Sequence, residues 1–264
     1  MKLAAVGSNC VDYYPDLENG KAFPGGGPVN MAVYTIRLGG KASYIGPVGA
    51  DANGEFLKNA MNQKGVDLSH LHIQNGKTAV TQVLLDGSER HFGEYDEGVL
   101  SDYTLSEEDI RFIRTHDVVV CDLWGKVWKQ FPALKQTGIK TAFDAATALD
   151  SAISQNVLPY TDYFFFSSDQ GDTPSLREKM IACAKKGPTL IIAMLGENGS
   201  LCFDRTDFHK YGIIPCDHLT DTLGAGDSYI SGFLFGIVNG YSIEKSMETG
   251  ARNASETLTY FGAW

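Results

Sequence analysis

Short runs of continuous apolar residues alternate along the chain with longer segments whose apolar positions recur every three or four residues. KLAAVG reads as a buried strand, and GGGPVNMAVYTIRLG follows with glycines, a proline suited to a first helical turn and an apolar stripe. The pairing repeats as SYIGPVG before DANGEFLKNAMNQKG, DVVVCDLWG before KVWKQFPALKQTG, KTAFDA before a short helix, and DYFFFS before DTPSLREKMIACAKKG, with TLIIAML as the last such strand. Strands that are apolar throughout are buried on both faces, so this order predicts an α/β protein whose mainly parallel sheet is covered by helices on both sides.

Residues 71–96 break the rhythm. They read as strands joined by turns, with Asn75-Gly76 and Asp86-Gly87 as hairpin signals. With VDYYP near residue 12 they predict a small antiparallel sheet, its strands drawn from about 11–18 and 71–96. Insertions near strand ends are placed to close over a ligand, because α/β sheets bind ligands beyond the carboxyl ends of their strands. The plainer readings are a decorative hairpin or an edge between subunits. No internal repeat, low-complexity tract or linker divides the chain, so residues 1–264 read as one domain with a lid.

Composition narrows the function classes. The 264 residues are 43% hydrophobic and 20% charged, with 29 glycines, which fits a globular α/β chain. A formal net charge of -10 argues against sequence-independent nucleic-acid binding, which needs a basic footprint. Cys10, Cys121, Cys183, Cys202 and Cys216 are scattered and form no C-x-x-C pair, so neither a disulfide framework nor a zinc knuckle is expected. They read as thiols of a reducing compartment. Neither a signal peptide nor a membrane span is predicted, and the protein is expected in the cytoplasm. His70 and His72 alternate along a strand with no third ligand evident nearby, and no structural metal site is expected. Trp124, Trp128 and Trp264 read as core or interface anchors.

The segment DTLGAGDSYISGF, residues 221–233, carries the chemistry. Ile230, Phe233, Leu234 and Ile237 fall on one helical face, so Gly224, Ala225 and Gly226 lie at or before a first turn. Small residues there let an anion approach free backbone N–H groups, and the helix dipole favours negative charge. Asp227 then has two readings: an acid favoured at a helix N-terminus, or a carboxylate placed to accept a hydroxyl proton as that oxygen attacks a phosphoryl group. The dipole is expected to keep it ionised.

Rival phosphate devices are absent. Gly76-Lys77-Thr78 ends like a P-loop, but Leu71 stands at the first glycine position. The first strand leads to GSNCVD rather than to G-x-G-x-x-G, so a dinucleotide fold is poorly supported.

DTLGAGDSYISGF resembles the C-terminal signature of the ribokinase-like (PfkB) carbohydrate kinases at every specified position. Gly25-Gly26 followed by Asn30 is similar to the family's N-terminal glycine-pair motif, and LGENGS at 195–200 to its nucleotide-contacting loop. The resemblance runs over nearly the whole chain and implies a three-layer α/β/α sandwich with a small β lid, and ATP-dependent phosphorylation of a sugar primary hydroxyl. It implies Asp227 as base, with the N–H groups of Gly224, Ala225, Gly226 and Asp227 as anion hole. Asp12, Gly25, Gly26 and Asn30 would contact the sugar, Gly196 and Gly199 the nucleotide, and Asn253 the adenine pocket. Plainer roles exist for each: a turn into a helix for the first glycines, a hairpin for Gly196 and Gly199, an exposed helical position for Asn253.

The chain departs from the family twice. SSDQGD stands where N-x-x-E helps organise magnesium and phosphate, so Asp172 is the candidate acid for Mg²⁺ through water, with Ser167 or Ser168 in place of the amide. Met194 stands where the nucleotide loop commonly has threonine. Within the family, GSNCVDYYP, RHFGEYDEGVLSDYTLSEED and the terminal GAW resemble members that phosphorylate the Amadori sugar-amine fructoselysine. Arg90, Glu94, Asp96 and Glu97 would offer both charge signs to a zwitterionic substrate; a solvated hairpin edge is the plain alternative. Fructose, ribose, a ketodeoxy sugar acid or another glycated amine are the competing substrates, and a non-catalytic nucleotide- or sugar-binding regulator the competing class. The partners expected are the sugar and ATP, with no nucleic acid or membrane, and a homodimer through the lid.

Overall fold

The apolar runs become the strands of one large sheet. A computed structural model describes the chain except Glu18, Gly87 and Ser88 and the side chains of Leu85, Asp86, Glu89 and Arg90. Its elements are, in order, β1 (Lys2–Val6), β2 (Cys10–Tyr14), β3 (Lys21–Gly25), α1 (Gly27–Arg37), β4 (Lys41–Gly49), α2 (Ala52–Gln63) and β5 (Asp67–Gln74). Then come β6 (Val80–Asp86), β7 (Glu89–Asp96), α3 (Glu107–Ile113), β8 (Val118–Asp122), α4 (Phe131–Gln136), β9 (Lys140–Asp144), α5 (Ala152–Val157) and β10 (Tyr163–Ser167). The chain continues through α6 (Pro174–Ala184), β11 (Leu190–Met194), β12 (Ser200–Phe203), β13 (Phe208–Tyr211), α7 (Ala225–Val238) and α8 (Ile243–Thr257).

Among the described residues the large sheet has the order β13-β12-β11-β10-β9-β8-β1-β4-β5. Its strands run parallel except β12, which pairs antiparallel with both β11 and β13 at one edge. Alternation along β1 divides the core. Leu3 and Ala5 pack with residues of α1, α2, α7 and α8, while Ala4 and Val6 pack with residues of α3, α4, α5 and α6. Burying both faces is what makes the parallel strands read as unbroken apolar runs.

The second sheet has the order β3-β2-β6-β7. Two antiparallel pairs, β2 with β3 and β6 with β7, are joined by a parallel β2–β6 contact. This lid differs from the expectation in two ways. Lys21–Gly25 adds a strand, and residues 71–74 belong to β5, paired parallel to β4 in the large sheet. Asn75-Gly76 therefore carries the chain from one sheet to the other rather than turning a hairpin. Asp86 does pair with Glu89, but Gly87 of the second turn signal lies outside the described residues.

Helix starts separate structure from site. The side chains of Asp51, Thr173 and Ser242 cap α2, α6 and α8, each accepting from a first-turn N–H. Helices α1 and α7 begin instead at Gly26 and Gly224, with no side-chain cap. These two helices pack together, and their glycine starts border the candidate site. No helix among the described residues is long and apolar enough to cross a membrane.

Candidate active site

Gly224 opens α7 with φ 76°, and a Cβ there would stand 2.4 Å from the Tyr34 hydroxyl, so the turn needs glycine on both counts. The first helical bond runs from the Ser228 N–H to the Gly224 carbonyl at 2.8 Å. The amides of residues 224–227 precede it and have no acceptor within the helix; Ala225 makes only a 3.3 Å contact to the Thr222 carbonyl. Above Gly226 the space is open, a Cβ there meeting nothing nearer than Met194 Cε at 3.8 Å. Met194 thus lines this turn with a thioether.

Asp227 stands in that turn. The Asn30 amide donates from Nδ2 to Asp227 Oδ2 at 2.8 Å, and Asn30 Oδ1 accepts from Trp264 Nε1 at 2.8 Å. The C-terminal residue therefore fixes which way the Asn30 amide faces, and Asn30 in turn holds one oxygen of Asp227. The other oxygen, Oδ1, is turned toward Gly27, whose Cβ would lie 3.3 Å from it and 3.0 Å from Asp122 Oδ2. Glycine at 27 leaves that space open between the two acids.

Further carboxylates converge from the carboxyl ends of the strands. Asp122 and Asp144 end β8 and β9 and are direct cross-strand partners. Asp12 lies in β2 against Gly25, where a Cβ would come within 2.0 Å of its Oδ2. Gly26, with φ 102°, lies so close to Asn9 that a Cβ would be 2.4 Å from its Cα. The glycine pair thus lets the backbone press against β2 and leaves room for the Asp12 carboxylate.

Burial raises the proton affinity of Asp122, Asp144 and Asp227. Burial pushes Asp122 up from 3.8 to about 7, partly opposed by the Ser8 hydroxyl and reinforced by the charge of Asp144. Burial likewise takes Asp144 to about 6, with the Ala146 N–H opposing it. Asp227 is half-buried, as is its bond to Asn30. Burial raises it well above the carboxylate range, Asp144 adds to the rise, Asn30 opposes it, and Asp122 and Asp12 add smaller contributions. Burial therefore acts on Asp227 in the direction opposite to the one expected from the helix dipole, and a raised proton affinity makes a stronger base.

This arrangement of a glycine-started helix, an amide-held aspartate and a lid matches a known family. The model of the pfkB family of carbohydrate kinases matches residues 2–264. The chain belongs to the PfkB family. It is 43% identical over 262 residues to a fructoselysine 6-kinase of Shigella flexneri, covering 99% of both chains. It is 30% identical to a fructosamine kinase of Bacillus subtilis (strain 168), over 100% of this chain and 93% of the relative. An Arabidopsis thaliana ribokinase solved with ribose and ATP superposes with a TM-score of 0.88 at 23% identity, over 99% of this chain and 93% of that one. The likeness to that structure establishes a ribokinase-like fold.

Seen as a PfkB kinase, the chain uses some expected site residues otherwise. Asn253 is 2% exposed and engaged: its Oδ1 accepts from Arg37 Nη2 at 2.6 Å and from Nε at 3.1 Å, and its Nδ2 donates to the Ser228 carbonyl at 2.7 Å. It is a buried strut between α1, α7 and α8 rather than the exposed helical position of the plainer reading. Arg37, which sequence reasoning missed, organises this strut and also donates to Ser228, Thr257 and Tyr260. Asp172 binds Arg177 through both oxygens, at 2.7 and 3.0 Å, and lies 3.6 Å from Lys210, so a metal there would share it with two cations. Gly196 and Gly199 flank the turn of an antiparallel β11–β12 hairpin closed by Leu195 N–H to Gly199 C=O at 2.8 Å.

On the lid, Glu97 pairs with Lys126 at 2.6 Å, and Asp96 accepts from the Gly98 N–H. Arg90 falls in β7, with its side chain outside the described residues. The expectation that His70 and His72 lack a third partner is corrected, since both rings meet Asp109 of α3. Asp122 and Asp144 were also missed as site residues. Their signal was an acid closing each of two buried apolar strands.

Proposed function

We propose that the protein is an ATP-dependent kinase that phosphorylates the 6-hydroxyl of fructoselysine, with Asp227 as base. The observation that carries this reading is the Asn30–Asp227 pair at the uncapped start of α7: a carboxylate of raised proton affinity, held by an amide, beside backbone N–H groups that have no helical acceptor. With Oδ2 held by Asn30, Oδ1 is the oxygen that takes the hydroxyl proton. The sugar oxygen then attacks the terminal phosphorus of ATP and the bond to ADP breaks. The amides of Gly224, Ala225, Gly226 and Asp227 donate to the oxygens of the group in transfer.

Asp12, with Gly25 and Gly26, holds the sugar, and the Gly196–Gly199 turn borders the nucleotide. The hard carboxylate oxygens fit Mg²⁺. We assign it to Asp144, with Asp172 only through water because of its two cation partners. When bound, Mg²⁺ neutralises phosphate charge. The buried acids Asp12 and Asp122 suit a cationic sugar-amine, and the fructoselysine 6-kinase at 43% identity supports that substrate. Arg90 is assigned to the substrate carboxylate. Tyr13, Leu84 and Phe92 are exposed on lid strands, Phe92 by 68%, which supports pairing of two lids in a homodimer. The free thiols suit a cytoplasmic setting.

ADP release measured with fructoselysine, fructose and ribose tests the reading, with the phosphorylated carbon assigned by phosphorus–proton coupling. We expect kcat/KM for fructoselysine to exceed the others by at least ~10-fold, because buried charge partners discriminate strongly. A preference for fructose or ribose would refute the substrate while keeping the kinase. ATP-induced stabilisation with no ADP release from any sugar would favour a binding regulator.

A further inference from the structure

The geometry points to a transition-metal site, of the Zn²⁺ class, formed by His70, His72 and Asp109 away from the phosphate-transfer centre. His70 and His72 are two apart on β5, the edge strand of the large sheet, so their side chains share one face. Asp109 reaches that face from the first turn of α3. His70 Nδ1 lies 2.8 Å and His72 Nε2 2.9 Å from the same oxygen, Asp109 Oδ1. All three donor atoms fall within 4.8 Å of one another.

The supporting contacts are those of a ligand set held in place. Asp109 Oδ2 is occupied by the Ser106 N–H at 2.9 Å and hydroxyl at 2.8 Å, which aims Oδ1 at the imidazoles. His70 stacks on Phe112, with centroids 4.0 Å apart and planes 12° from parallel. Asp109 is buried, while the His72 side chain keeps 36% of its surface, so water can complete the coordination. Bonds of ~2.0–2.1 Å to Zn²⁺ put neighbouring donors about 2.9–3.4 Å apart, so each imidazole–carboxylate separation needs to open by at most a few tenths of an ångström. Each neutral ring offers its lone pair by carrying its proton on the other nitrogen. Two imidazoles with one carboxylate select Zn²⁺, Co²⁺ or Ni²⁺ over Mg²⁺, which takes oxygen. A bound ion would tie β5 to α3 just before the chain crosses to lid strand β6.

His209 makes a useful contrast. It meets Glu244 and Asp204 through opposite nitrogens, so its two acids cannot converge on one ion with it.

The test uses the full chain, stripped of metal and free of nucleotide, with Mg²⁺ in excess to occupy oxygen-rich sites. Zn²⁺ alone is titrated against a chromophoric chelator, and Co²⁺ is added separately to read its visible ligand-field bands. We expect one equivalent of Zn²⁺ per chain and a rise in Tm on binding. His72→Gln, which keeps a donor for Asp109, should bind at least ~10-fold more weakly and lose both the Tm rise and the Co²⁺ bands. His72→Ala gives the same comparison should the glutamine variant fail to fold, and His209→Ala should leave binding unchanged. Failure of the wild type to bind one equivalent, or equal binding by the His72 variants, would overturn the proposal.

Discussion

The Asn30 side chain donates to Asp227 across 2.8 Å, joining two residues 197 positions apart in the chain. The bond settles which oxygen of Asp227 is free, and it ties the glycine-pair helix α1 to the anion-cradle helix α7. Asp227→Asn keeps the shape and removes the base, so turnover should fall at least ~10²-fold while ATP and sugar affinities stay within severalfold. Initial-rate kinetics together with equilibrium binding of each substrate check this; near-normal turnover would make Asp227 a helix cap only.

Trp264 sets the Asn30 amide through its indole N–H. Trp264→Phe keeps most of the apolar contact and removes that donor, so the amide is free to turn its oxygen toward Asp227, where two acceptors would repel. We expect kcat to fall about 3–10-fold, in line with the loss of ~1 kcal/mol for one hydrogen bond, with KM values little changed. A KM effect without a kcat effect would place Trp264 in binding instead.

Asp122 and Asp144 have folded-state affinities raised to about 7 and about 6, against 3.8 for the free carboxyl. Between those values the folded chain holds protons that the unfolded chain has lost. Their stability contribution is thus complete below about pH 4 and is lost as pH rises through about 6–7. Urea unfolding of the ligand-free protein should show Asp122→Asn gaining stability relative to wild type between about pH 5 and pH 7.5, by ~1–3 kcal/mol. Taking the difference between the two proteins removes the histidines that titrate in the same window. A pH-independent difference would mean that Asp122 is ionised without penalty.

Much of this was legible in the sequence, for physical reasons. Parallel strands buried on both faces leave apolar runs, and a helix that must keep its first amides free leaves glycines where a cap would stand, as at Gly26 and Gly224. Lid register was less legible: HIQNG and LLDGS carry similar turn signals, and the pairing of β5 along β4, with His70 beside Ile45 and His72 beside Pro47, is what assigns β5 to the large sheet. The distant partners of Asn253 and Asp109 were not legible at all. Arg37 and His70 reach them from 216 and 39 residues away, and no local pattern encodes such meetings.

Asn253 separates a strut from a nucleotide contact. Asn253→Ala removes the acceptor for part of the half-buried Arg37 guanidinium and an extra donor to the Ser228 carbonyl, so it should destabilise by about 2–4 kcal/mol. Because its Oδ1 and one Nδ2 hydrogen are engaged inside the protein, KM for ATP should change less than ~3-fold in a folded sample. Thermal unfolding and ATP kinetics on the same preparation decide it: a large KM change with little loss of stability would place Asn253 in the adenine pocket.

Gly226 offers the cleanest test of the anion cradle, because a methyl group there fits the fold. Its nearest neighbour would be Met194 Cε at 3.8 Å, an ordinary contact, and the residue sits inside a helix, where alanine is favoured over glycine by about 1 kcal/mol. Gly226→Ala should therefore unfold at the same or a higher temperature than wild type. The methyl group nevertheless occupies the open space above the free amides, where a transferring phosphoryl group would lie. We expect kcat to drop at least ~10-fold with Tm unchanged or raised, since one lost oxyanion contact removes several kcal/mol of transition-state stabilisation. Activity retained at that Tm would show that the phosphate passes elsewhere, because the substitution has no structural route by which to act.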